Sequence, residues 1–484
     1  METAKEHLQL IDSSTEVSRQ EKAFLVQGAK KFPISAERIS KYSLFFRYAE
    51  DKKLTDSNQP VKLLVQNNSD SFEVGPCKIL TDSDFNGHSG CLVFTENVYD
   101  IHSLFADKKL IKLQSAFSDL QIILNRKGDI RQDFKEYTSD LVYDLNIYKR
   151  IFDDLDRQYQ DEPPEVRESI QKALIEKEGQ EFLYFLNENL FELGAIVSDF
   201  CLEEHQRHGF YFRQQLWNFI LCSVFMTRTN LKPRGYAGDS KMMQMVYAND
   251  YQGNTTFEKL MHKFPLDQPG AKSVRNRRNI VVKMINKINN DMRVGEDQVF
   301  KILSVACGPA AELQDVLVYV PDFARYHFTL LDQDRLALRE ASQIVKDLER
   351  RTGATAGTNF VQGSVRLIIA NKAFKQKLGQ FHFIYSLGLF DYLSPRVGSI
   401  VIENLYQLLI PGGRMIIGNF HVSNQSKPFL DYWLDWNLYH RTEDEFFMLS
   451  KSIPSCEVSI FFENTGNQMF LEIKKQNPIS ARAK

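Results

Sequence analysis

The sequence predicts an α/β fold: a Rossmann-like, seven-stranded sheet finished by a terminal β-hairpin, preceded by a helical region and a small N-terminal β-barrel. Three observations carry this expectation. From about Lys272 to Lys475, helix-length and strand-length apolar segments alternate, the pattern of crossover-linked parallel strands. The first strand-like run, K-I-L-S-V-A-C-G-P at Lys301–Pro309, ends on Gly308. The next, F-T-L-L-D at Phe328–Asp332, ends on an acid 24 residues after that glycine, close to the ~20 that separate a nucleotide-binding glycine turn from the acid that holds a ribose. The last two apolar runs, Cys456–Phe462 and Met469–Ile473, are joined by Glu463-Asn464-Thr465-Gly466-Asn467, a hairpin connection.

The 484 residues suffice for two or three domains, and a hydrophobic share of 43% with 25% charged residues describes a chain that buries large cores. A net charge of −2 provides no field to gather nucleic acid. The six cysteines are scattered without a C-x-x-C pair, which predicts neither a disulfide framework nor a metal site and fits a reducing cytoplasm. The opening M-E-T-A-K-E-H lacks the apolar core of a signal peptide. The longest apolar run, Leu216–Met226, is short of the ~20 residues of a membrane span, so no transmembrane segment is expected. With 36 Phe against 3 Trp, either an acyl pocket or aromatic-rich cores are expected.

In chain order, residues 1–35 read as a polar tail. Residues 36–105 have β texture: Ile39–Tyr48, Val61–Gln66, Phe72–Leu80 and Gly90–Phe94 are short apolar runs separated by Asn- and Asp-rich turns, the spacing of a small antiparallel barrel. Residues 106–271 read as helical. Phe134, Tyr137, Leu141, Leu145, Tyr148, Phe152 and Leu155 fall three or four apart, one stripe along a long helix. Pro163-Pro164 starts another, and Phe182–Leu193 and Tyr211–Phe225 continue the pattern. Cys201, Glu203, Glu204, His205 and His208 form a polar cluster. Glu204 and His208 could share a metal at i,i+4, but without a second such motif a solvated face is expected. K-P-R-G-Y-A-G-D at Lys232–Asp239 breaks the helices. Asp239 can cap the following one, while Arg234, Tyr236 and Asp239 crowd one stiff turn and are expected to face a ligand. Ser273–Arg278, S-V-R-N-R-R, reads as a solvated basic face. Residues 272–476 form the α/β domain, and 477–484 a C-terminal tail.

The loops expected at the carboxyl ends of the strands have assignable tasks. Gly308, flanked by Ala306 and Pro309, lets a ligand approach the backbone. Asp332, with Gln333 beside it, would accept hydrogen bonds from ribose hydroxyls. Ser364 and Val365, in G-S-V, would flank an adenine. Ser386 and Leu387 would lie beneath the other end of the ligand. The missing second and third glycines of G-x-G-x-x-G argue against NAD and point to S-adenosylmethionine (SAM).

Five crossover-linked strands plus a terminal hairpin resemble a class I SAM-dependent methyltransferase. L-S-V-A-C-G-P-A-A-E-L, Y-S-L-G-L-F-D-Y-L, L-I-P-G-G-R-M-I-I-G-N-F and K-P-R-G-Y-A-G-D together resemble a bacterial group that includes the methyltransferases making 3-hydroxy fatty-acid methyl esters, such as 3-hydroxypalmitic acid methyl ester, as signals. The barrel is similar to a degenerate PilZ domain, the module that in active form binds cyclic di-GMP. Here only Arg38 stands for the phosphate clamp, and Asn86-Gly87-His88-Ser89-Gly90 lacks the required acid.

The resemblance implies SAM as cofactor and a small, lipidic acid as acceptor, with transient membrane contact compatible with such a substrate. A carboxylate is already ionised at neutral pH and needs no base. It needs a cation or donors, for which Arg234, Tyr236, His421 and Arg441 are candidates, with Asp239, Phe390 and Asn419 shaping the pocket. An alcohol or nitrogen acceptor would need a base, and His421 is the candidate unless it is a packed or surface residue. Asp391 and Tyr392 shape the pocket or cap a helix. A third reading is a non-enzymatic regulator with a nucleotide-sensing barrel.

Overall fold

The computed structural model describes residues 15–16, 22–28, 30–39, 43–49, 61–66, 71–80, 89–94, 128–292, 299–319, 325–353, 357–454 and 456–477. The chain divides into two compact units. One comprises the chain up to Ala237 with Tyr251–His262 and Pro428–Trp436; the other comprises Gly238–Asp250, Lys263–Lys427 and the chain from Asn437 onward.

The first unit begins with strands β1 (Thr15–Glu16), β2 (Lys22–Gln27), β3 (Lys30–Ile39), β4 (Ser43–Tyr48), β5 (Val61–Gln66), β6 (Ser71–Leu80) and β7 (Ser89–Phe94). Strands β2 to β7 close as β3-β2-β5-β6-β7-β4 with β4 returning to β3, a six-stranded antiparallel barrel, and β1 pairs on β3. Its interior is set by alternation: Ala23 and Leu25 of β2, Leu44 and Phe46 of β4, and Val61, Leu63 and Val65 of β5 are buried in one cluster.

Two expectations are corrected here. Strands β2 and most of β3 lie within 1–35, the stretch read as a tail. Ala23/Leu25 and Phe32/Ile34 alternate behind a polar lead-in too short in apolar content to stand out. Ile39–Tyr48 is two strands rather than one, since Ile39 ends β3 and Ser43 begins β4.

In the helical part, Gln132–Gln158 buries Phe134, Tyr137, Leu141, Leu145 and Phe152 on the expected stripe. Pro164 opens Pro164–Glu176 at the first helical position. Helices Glu178–Ile196 and Leu202–Ile220 follow, and the run read through to Phe225 breaks before Val224–Leu231. The abundant phenylalanines serve this core. Phe134 meets the rings of Phe200, Phe212 and Tyr432, and Phe182 those of Tyr148, Phe152 and Phe257.

The polar cluster at 201–208 is not simply a solvated face. Glu204 closes a capping box on Cys201, whereas His208 is fully buried. Its Nε2 accepts from the Arg131 amide at 3.0 Å while Nδ1 faces the Glu204 carbonyl at 2.8 Å, and burial lowers its pKa. Both ring nitrogens are thereby committed to the fold.

The second unit holds β8 (Phe300–Val305), β9 (Tyr326–Asp332), β10 (Gly357–Gln362), β11 (Phe381–Ser386), β12 (Leu409–Phe420), β13 (Cys456–Phe462) and β14 (Gln468–Lys475) in the order β10-β9-β8-β11-β12-β14-β13. The first five are parallel; β14 runs antiparallel between β12 and β13. This is the class I methyltransferase fold, with helices on both sheet faces as the two apolar clusters record. The strand order reverses between β8 and β11, so the crevice at their carboxyl ends is where such a sheet takes a ligand.

Candidate active site

The glycine turn is built on backbone strain. Ala306, Gly308 and Ala310 all have positive φ, at 54°, 55° and 51°. For the two alanines this left-handed geometry costs energy that the surrounding bonds must offset. A Cβ built on Gly308 would meet no protein atom within 4 Å. Packing therefore does not demand the glycine; backbone conformation does, and the space beside it is open.

Asp332 holds the turn in place. Its Oδ2 accepts the Gly308 amide at 2.9 Å and its Oδ1 the Asp334 amide at 2.9 Å. The Cys307 amide bonds the Leu331 carbonyl at 3.1 Å, and the Gly363 amide the Asp332 carbonyl at 2.9 Å. Loops after β8, β9 and β10 are thus laced together by direct hydrogen bonds. Asp332 is buried, which pushes its carboxyl above the ordinary range, and the amides of Asp334 and Gly308 pull it back. Each carboxylate oxygen retains a lone pair for a further donor. Gln333 is exposed, Pro309 is buried, and Ser364 and Val365 open the helix Val365–Ala370 half-buried. Ser386 Oγ donates to the Val305 carbonyl at 3.0 Å, joining β11 to β8 across the reversal point.

A second group gathers at the end of β12. Arg441 is buried and donates to the Phe390 carbonyl at 2.8 Å, to Asn419 Oδ1 and to the Leu393 carbonyl. Asn419, fully buried, donates to the carbonyls of Phe420 and Tyr439, both at 2.8 Å. Asp391 accepts the Phe420 amide at 2.7 Å; burial raises its carboxyl pKa to about 6 despite the attraction of Arg277 and Arg441. His421 is engaged at both nitrogens, Nδ1 with Ser423 Oγ at 2.7 Å and Nε2 with Glu443 at 3.0 Å. The candidates Asn419, His421 and Arg441 thus lie together here, and their polar atoms are occupied by protein partners.

Asp239 caps the helix Ser240–Ala248 as expected, accepting the Met242 amide at 2.9 Å. Arg234 and Tyr236 belong to the first unit and Asp239 to the second, so the K-P-R-G-Y-A-G-D turn is where the chain passes between them. For the barrel, the Arg38 side chain and Asn86–His88 lie outside the described residues.

The basic run Ser273–Arg278 is a correction. Arg275 donates to the carbonyls of Val246 and Leu266, Arg278 pairs with Asp315 at 2.7 Å, and Arg277 is buried. A signal for this was present. Val274, Arg277, Val281, Ile285 and Ile288 fall three or four apart, and all five are buried, so Arg277 lies on the apolar stripe of the helix Pro269–Met292.

Strand order and the terminal hairpin give the second unit the class I methyltransferase fold, with the open glycine turn and its acid partner at the edge where such a sheet takes a ligand. A family model described as "Putative methyltransferase" matches residues 202–371, about a third of the chain. No curated protein matches. Among solved structures, a possible exported protein from Bordetella parapertussis is 14% identical with a TM-score of 0.41, covering 55% of this chain and 88% of its own. Magnesium protoporphyrin IX methyltransferase from Synechocystis PCC 6803 with bound SAM is 12% identical with a TM-score of 0.31, covering 43% and 83%. The N-methyltransferase NodS from Bradyrhizobium japonicum WM9 with S-adenosyl-L-homocysteine is 13% identical with a TM-score of 0.30, covering 43% and 89%. Similarities at this level add nothing to the topology itself.

Proposed function

We propose that residues 272–476 form the catalytic domain of a SAM-dependent O-methyltransferase acting on the carboxylate of a hydroxylated fatty acid or similar apolar acid, with a signalling methyl ester as product. The residues at the glycine turn fit the cofactor: Asp332 would hold the ribose, the backbone of Ala306–Pro309 the methionine part, Ser364 and Val365 the adenine, and Ser386–Leu387 the sulfonium side. Bound there, SAM supplies an electrophilic methyl group, and the chain's task is to align an acceptor in line with it and exclude water.

The observation that carries the acceptor reading is the state of His421. With Nε2 on Glu443 and Nδ1 on Ser423, it is engaged rather than poised over a substrate proton. An ionised carboxylate requires no proton removal and suits such a site. Arg234 and Tyr236 remain proposed donors; three of the five N–H groups of Arg441 are spent on protein oxygens. The four motifs that resemble those of the 3-hydroxy fatty-acid methyl ester group favour the same acceptor.

The test uses purified protein, SAM carrying a labelled methyl group and 3-hydroxyhexadecanoate. Label should enter an organic-soluble product and be released as methanol by alkali, since an ester hydrolyses and an ether or N-methyl group does not. Alkali-stable label would establish the second reading, an alcohol or nitrogen acceptor. That reading draws on the His421–Glu443 pair, in which a carboxylate would orient a base.

A further inference from the structure

Arg277 carries a positive charge that the fold leaves incompletely matched. Its residue is 93% buried, at 7% relative exposure. Nη1 donates to the Leu387 carbonyl at 3.1 Å, and Nη2 to the thioether of Met243 at 3.7 Å. The Tyr247 phenol interacts with the guanidinium. Nε is buried with no hydrogen-bond partner. Glu312 and Asp391 feel its charge, yet neither forms an ion pair with it; Glu312 instead accepts the Tyr385 hydroxyl at 2.7 Å. The Nε/Nη2 edge of a guanidinium is a two-pronged donor matched to a carboxylate, and here no carboxylate pairs with it: Nε is unpartnered and Nη2 meets a thioether. A buried donor left unmade costs about 1–3 kcal/mol, more for a charged group.

A complementary vacancy in hydrogen bonding sits beside it. Gln468, fully buried at the start of β14, donates through Nε2 to the same Leu387 carbonyl at 2.8 Å, while its Oε1 is buried without a partner. One carbonyl therefore holds two head groups, one with an unused cationic donor and the other with an unused acceptor. Gly388 follows at once, and a Cβ there would come within 3.1 Å of Arg277 Nη1, so the glycine keeps the guanidinium uncrowded. The Leu387–Gly388 turn ends β11, at the reversal point of the sheet.

We infer that Arg277 and Gln468 form a binding corner for a carboxylate bearing an adjacent N–H or O–H: Arg277 takes the carboxylate, and Gln468 Oε1 accepts from the neighbouring donor. Two molecules of the proposed reaction share this chemistry, the α-amino acid end of the cofactor and a 3-hydroxy acid. The inference rests on the methyltransferase reading and deepens it by supplying the cation that Arg441 does not offer.

Calorimetry on the full chain separates the sources. The probes are S-adenosylhomocysteine, methylthioadenosine (which lacks the amino acid end), and 3-hydroxyhexadecanoate or hexadecanoate added to protein saturated with S-adenosylhomocysteine. If the cofactor end occupies the corner, Arg277→Gln weakens S-adenosylhomocysteine by roughly 30-fold or more and leaves methylthioadenosine unchanged. If the acceptor occupies it, both nucleosides bind as before, 3-hydroxyhexadecanoate weakens by a similar factor, and Gln468→Leu removes its advantage over hexadecanoate. A folded Arg277→Gln protein with wild-type affinity for all four overturns the inference and leaves the proposed function standing. Wild-type protein that binds neither nucleoside overturns both. Should Arg277→Gln not fold, Arg277→Lys serves: it keeps the charge and loses the fork, and unchanged affinities there overturn the inference equally.

Discussion

The two ends of the sheet's carboxyl edge differ in how their polar groups are spent. At β8 and β9 the backbone is held open: Gly308 is fixed by Asp332, and the volume where its side chain would be meets no protein atom. At the end of β12, by contrast, Arg441 and Asn419 direct their donors at loop carbonyls, and His421 has a partner on each nitrogen. The first region is organised for something else to arrive; the second is organised for itself. A catalytic-looking residue type is thus a weak guide to role, and an unspent donor or an open backbone is a stronger one.

The largest expected effect comes from breaking the self-contained region. Arg441→Met should lower unfolding free energy by about 3–5 kcal/mol, because buried carbonyls of Phe390 and Leu393 lose their donor. Denaturant titration measures this. A loss confined to acceptor affinity, with stability intact, would return Arg441 to the ligand. Next, Asp332→Ala should weaken S-adenosylhomocysteine by about 100-fold in calorimetry, since the variant loses both the proposed ribose acceptor and the anchor of the glycine turn.

Asp391 connects the comparison to pH. Its native carboxyl, near 6, lies above the ordinary 3.8. Between those values the folded state holds a proton that the unfolded state has released, so this group's contribution to stability falls as pH rises from about 4 to 6, then stays level. Asp391→Asn can keep the Phe420 bond through its amide oxygen. It should be the more stable protein above pH 6, by on the order of 2–3 kcal/mol, and show no advantage near pH 4. Equal stability curves for the two proteins would refute the assignment.

Gly308→Ala should cost only about 1 kcal/mol of stability, the backbone term for a left-handed residue. Its cofactor affinity should fall further than that figure accounts for, because the new methyl group enters open space. The smallest effect is expected from His421→Gln: a change of threefold or less in kcat, with no lost limb in the pH–rate profile. General-base catalysis would instead demand roughly 100-fold or more.

Much of the second unit was legible in the sequence because its signals are local. The seven strands follow from apolar runs, and the Gly308–Asp332 pair from spacing that the backbone itself imposes. Strands β2 and β3 were missed because their alternation is short and follows a charged lead-in. Arg277 and His208 were missed for a different reason: residue type was allowed to outweigh position. Both sit on buried stripes where solvation cannot offset their polarity, so each demanded a partner or a purpose. Which of them the fold itself satisfies, His208 fully and Arg277 in part, is a matter of tertiary contacts that no spacing encodes.

The place of β14 has a consequence for the order in which the protein is made. Because β14 lies between β12 and β13 but follows both in the chain, β13 emerges from the ribosome before its neighbour exists. Until Gln468–Lys475 is available, β12 keeps an open edge and β13 has nothing to pair with, so two of the sheet's six strand pairings wait on its last strand.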